Sequence, residues 1–168
     1  MIKDYLISLS RYNLWANTAI VNMVNSQSFD AVNTPVTNSF DTIGKTLFHI
    51  WDAQVIWLER LKGSHPTDWP SKQYNAALAG FETYFIQQSS AMVEQVIAWE
   101  NTFYQQSTSY KNLKGETFET NNADILLHCF NHSTYHRGQI VTCMRQLGAV
   151  NITSTDYITF KRNDNIPY

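Results

Sequence analysis

The sequence has little that would assign it to an oxidising compartment, a membrane or a nucleic acid. Its 168 residues include two cysteines, Cys129 and Cys143. Both fall in one stretch that reads as helix, about 21 Å apart at a helical rise, too far to bond within one chain. No disulfide is expected, in keeping with a reducing compartment. No apolar run approaches the length a bilayer requires. The start, MIKDYLISLSRYNLWAN, has neither the apolar stretch nor the small-residue cleavage site of a signal peptide. A cytoplasmic location with no membrane partner is therefore the expectation. Charged residues are scarce at 15%, the net charge is −2, and no basic stripe is present, so no nucleic-acid partner is expected.

What the chain does have is apolar and aromatic. Hydrophobic residues make up 43%, with five Trp, nine Tyr and nine Phe. The length suits one domain over residues 1–168 with a real core. The rings more readily fill that core than form a platform for stacked bases. Residues 2–25 place Tyr5, Leu6, Leu9, Tyr12, Trp15, Ala16, Ala19 and Ile20 at helical steps. After a polar break at Pro35, a second helix is expected from about Asp41 to Leu61, with Ser39 as its cap. Gly63, Pro66 and Pro70 interrupt the chain before a third helix over 73–98. TFYQQSTSY and GETFET flank KNLKG and predict a small hairpin within 102–119. A fourth helix over 122–147 ends at Gly148, and the tail holds no long element. The fold class is all-α, a four-helix bundle with a β-hairpin inserted between the third and fourth helices; spacing does not fix the connection order.

Three of the five histidines, His128, His132 and His136, lie at four-residue spacing in the fourth helix. With Cys129 at zero and about 100° per residue, His132 falls near −60° and His136 near −20°, on the inward seam with Ile125 and Cys143. His128 falls about −100° away, on its shoulder. Buried imidazoles need partners. Two at i and i+4 converge readily on one divalent ion. A third ligand could come from His49, in TLFHIWDAQVIWLERL, or from His65 in the Gly/Pro-rich link; spacing does not choose between them. Asp52, one turn beyond His49, could orient it or be a solvated carboxylate. Tyr12, Trp15 and Tyr135 could line a pocket or belong to the core. Arg137 could hold an anionic substrate group, although a structural ion pair suits it better. Cys129 and Cys143 read as buried small hydrophobes.

YNLWAN, TLFHIWDAQVIWLERL, HCFNHSTYHRGQIVTCMRQLG and TDYITFKRN together resemble the DinB/YfiT-like family of small bacterial metal-binding four-helix bundles. The most specific element is NHxxxHRGQ preceded by an upstream FHI. The resemblance implies a metal triad of His49, His132 and His136, with His128 as a pocket or supporting residue and Gln139 as part of the motif. It implies a divalent ion, zinc or nickel ahead of iron or manganese, and a homodimer by analogy. A three-histidine site with an open position suits a metal-dependent hydrolase acting on a small substrate, and the resemblance to YfiT-like and thiol-transferase relatives implies a low-molecular-weight thiol S-transferase instead. The alternative is a non-catalytic metal-binding or stress-response bundle acting as a sensor or interaction module.

Overall fold

The computed structural model describes residues 2–74 and 80–162. Six helices and one hairpin follow in the order α1 (Ile2–Asn25), α2 (Phe29–Asn33), α3 (Ile43–Leu61), α4 (Phe81–Ala98), β1 (Ser107–Lys111), β2 (Thr117–Asn121), α5 (Asn122–Gln146) and α6 (Tyr157–Arg162). Helix α1 packs on α4 and α5, and α3 packs on α5 and α4. The four long helices therefore form a square bundle, with α1 diagonal to α3. This is the connection order that helical periodicity alone left open.

Local chemistry sets the boundaries, and several differ from those expected from sequence. Helix α3 starts at Ile43 because Thr42 caps it, its side chain accepting from the Lys45 amide at 3.1 Å. Ser39 is not the cap; its hydroxyl accepts from Gln139 Nε2 at 2.9 Å. Helix α4 begins at Phe81 rather than 73, because Gly80 enters it with φ of 82°. Pro70–Tyr74 form a 3-10 turn, and the part of the expected helix over 75–79 lies outside the described residues. The short α2 sits in the polar break and is capped by Ser28. The hairpin pairs Tyr110 with Phe118 and occupies 107–121, while Asn101–Gln105 form a 3-10 turn. Asn121 caps α5, and Gly148, at φ of 87°, closes it as its amide and that of Ala149 return to the Arg145 and Met144 carbonyls. In the tail, α6 packs Phe160 against Tyr12 and Trp15.

The core is layered. At one end Ile20, Leu47, Ile50, Phe81, Phe85 and Ile140 cluster; at the other Leu58, Met92, Val96, Tyr104, Ile125 and Leu126 do. Between them lies a buried polar layer with a member from each long helix. Arg137 donates to Asn13 Oδ1 at 2.7 Å and Asn17 Oδ1 at 2.8 Å. Asn13 Nδ2 donates to Gln54 Oε1 at 3.0 Å, and Asn17 Nδ2 donates to Ser89 Oγ at 3.0 Å. The asparagines of YNLWAN thus serve the buried arginine of NHSTYHRGQ.

Candidate metal centre

Helix α3 carries His49 and α5 carries His132 and His136, and the contact between these two helices brings the three rings together. Nε2 of His132 lies 3.1 Å from Nε2 of His49 and 3.1 Å from Nε2 of His136. One nitrogen from each ring lies within 4.8 Å of the others. Two nitrogens bound at about 2.0–2.1 Å to one tetrahedral ion are about 3.3 Å apart, close to both Nε2 separations, so the three imidazoles could hold a divalent ion.

Protonation favours the same use. Burial, reinforced by the charge of His136, pushes His49 down to about 4. Burial and then His136, His49 and His128 push His132 down to about 3. Burial also lowers His136, against the pull of Gln139. All three imidazoles are neutral at neutral pH, the state a metal requires. The Nδ1 of His136 lies 2.7 Å from Gln139 Oε1, while the Gln139 amide nitrogen donates to Ser39 Oγ and to the Tyr135 oxygen. The His136 proton therefore sits on Nδ1, and its Nε2 lone pair faces the site. Among the described residues, the Nδ1 of His132 is buried without a hydrogen-bond partner.

Two clefts flank the triad. One, of about 710 Å³, is lined by Phe40, Phe48, His49, Asp52 and Trp69, with Lys45, Ser71 and Lys72 at its edge. The Phe40 ring lies 4.3 Å from that of His49, and Trp69 lies 5.7 Å from it. The other, of about 310 Å³, runs from His49 and His132 past Trp57 to Arg60 under the hairpin turn. Phe40 and Trp69 were not singled out from sequence. Each sits in a polar link beside α3, where an isolated large ring is the one available signal.

Other expected residues are placed differently. Asp52 does not orient His49: its two oxygens accept from the Ser71 amide at 2.7 Å and the Ser71 hydroxyl at 2.6 Å, pinning the 3-10 turn that walls the larger cleft. Tyr12 and Trp15 are away from the triad; Tyr12 donates to the Thr155 carbonyl at 2.8 Å, and both rings pack around Phe160. Tyr12 borders a separate cavity of about 200 Å³. Tyr135 is at the site, its ring 4.9 Å from that of His136. Among the described residues Arg137 forms no ion pair and lines neither cleft; its terminal nitrogens are taken by Asn13, Asn17 and Thr134. His128 is exposed, with its ring edge-on to Trp57 at 5.2 Å, outside the ligand cluster. His65 lies exposed in its link. Cys129 and Cys143 are buried apart from the cluster, and burial pushes the Cys129 thiol up to about 12.

The DinB family model matches residues 1–165. The chain is also 26% identical to Protein DinB of Bacillus subtilis (strain 168) over 172 residues, covering 93% of each protein. No helix among the described residues is long and apolar enough to cross a membrane.

Proposed function

The chain belongs to the DinB family, and from that premise we propose that it is a divalent-metal-dependent enzyme of small-molecule chemistry, best read as a low-molecular-weight thiol S-transferase. The observation that carries this is the convergence of three neutral imidazoles beside an aromatic cleft. His49, His132 and His136 would hold the ion, zinc or nickel ahead of iron or manganese. When bound, such an ion supplies Lewis acidity and an open coordination position at which a thiol loses its proton. Phe40, Phe48 and Trp69 would receive an apolar electrophile and exclude water. In the transfer, sulfur bonds to the electrophilic carbon, the leaving group departs with its electron pair, and the thiol proton passes to solvent.

Hydrolysis is the second enzymatic reading and has less support. It calls for a proton acceptor beside the attacking water. Asp52 is the one carboxylate among the described residues lining either cleft, and Ser71 occupies both of its oxygens. The first test is metal content of untagged protein, with His132→Ala alongside. One equivalent of divalent metal, lost in the variant, supports the site; absence of metal from the wild type rejects it. Turnover is then screened with thiols plus electrophiles, and with esters and amides. Metal-dependent thiol consumption supports S-transfer. Metal binding without turnover in either panel favours a sensor or interaction module.

A further inference from the structure

Arg60 stands at the far end of the smaller cleft in an unusual state. The residue is 6% exposed, yet its guanidinium has no hydrogen bond or ion pair among the described residues. Its central carbon instead lies over the rings of Trp57 at 4.5 Å and Tyr110 at 4.8 Å. Cation–π contact offsets part of the cost of burying this charge. It leaves the guanidinium N–H donors without a hydrogen-bond partner among the described residues, and the terminal nitrogens, unlike the buried Nε, are the donors that can pair with a carboxylate. The cleft leads from His49 and His132 past Ala53, Ile56 and Trp57 to Arg60, with Asn112, Leu113 and Lys114 as its roof. His49, Ala53, Ile56 and Arg60 form one helical stripe, and about 16 Å of helix rise separates its ends. No carboxylate among the described residues lines this cleft, and Lys114 adds positive charge to its lining.

We propose that Arg60 is a carboxylate-binding subsite of the three-histidine centre. The ligand is an elongated small molecule with its reactive end at the histidines and an acid group on Arg60. The proposal rests on the metal-site reading above, and its test separates the two.

Cobalt(II)-loaded protein is titrated with mercaptooctanoate, mercaptooctanol and mercaptopropionate, following sulfur-to-cobalt absorption. The long acid is expected to bind about tenfold or more tightly than the equally long alcohol. The short acid, unable to reach Arg60, shows no such advantage. Arg60→Met removes the preference and leaves mercaptooctanol binding unchanged, while Arg60→Lys retains part of it. Equal affinity of wild type for the long acid and alcohol overturns the subsite and leaves the metal site standing; this comparison needs no variant to fold. If cobalt does not load, the metal reading fails, and the same long pair is titrated against metal-free protein by tryptophan fluorescence. A preference for the acid that Arg60→Met abolishes then supports the subsite, and its absence overturns it.

Discussion

Gln139 Oε1 lies 2.7 Å from Nδ1 of His136, and its amide nitrogen is held by Ser39 and Tyr135. The glutamine thereby sets which imidazole nitrogen carries the proton. Gln139→Ala is expected to lower zinc affinity about 10–100-fold while leaving the thermal transition of metal-free protein nearly unchanged. Chelator competition measures the affinity; a wild-type value in the variant would show that the contact does not tune the ligand.

Stability of the metal-free protein should depend on pH with a known sign. Above about 6.5 His49 and His132 are neutral in both folded and unfolded chains. Below that, the unfolded chain takes up protons that His49, at about 4, and His132, at about 3, refuse in the fold. Stability therefore declines as pH falls from about 6.5 through these values. Urea midpoints across this range should fall less steeply for the doubly substituted His49→Ala, His132→Ala protein; parallel slopes would reject the assignment.

Asp52 fastens the turn that carries Ser71 next to Trp69. Asp52→Ala is expected to cost about 1–3 kcal/mol and to expose the Ser71 amide to faster hydrogen exchange, with metal stoichiometry retained. Unchanged exchange at that amide would show that the turn is held by something else.

Arg137→Met should destabilise the fold by about 2–4 kcal/mol, because it strips a donor from the buried oxygens of both Asn13 and Asn17. Urea unfolding gives the value. A variant as stable as wild type would mean that the polar layer does not depend on its arginine.

Much of this was legible in the chain, for identifiable reasons. Helical periodicity located α1, α3 and α5 within a few residues because their apolar stripes are long. The inward position of His132 and His136 follows from spacing within one helix. His49 did not follow from spacing; it came with the family motif, since no local pattern records which helix α5 packs against. The role of Arg137 was misread for the same reason: Asn13 and Asn17 lie 124 and 120 residues away in sequence. Arg60 drew no attention because its partners are rings on α3 and on the hairpin. The start of α4 was missed because a glycine at positive φ breaks a pattern that still looks periodic.

The polar layer also acts as an alignment key. A buried arginine, two asparagines, a glutamine and a serine, drawn from all four long helices, bond to one another across the bundle, and those bonds tie the helices to one axial setting. Sliding α5 past α1 by a turn would strand several of them at once. His136 is the immediate neighbour of Arg137, and His49 lies five residues before Gln54. The layer therefore indexes the histidines along their helices through the polypeptide itself.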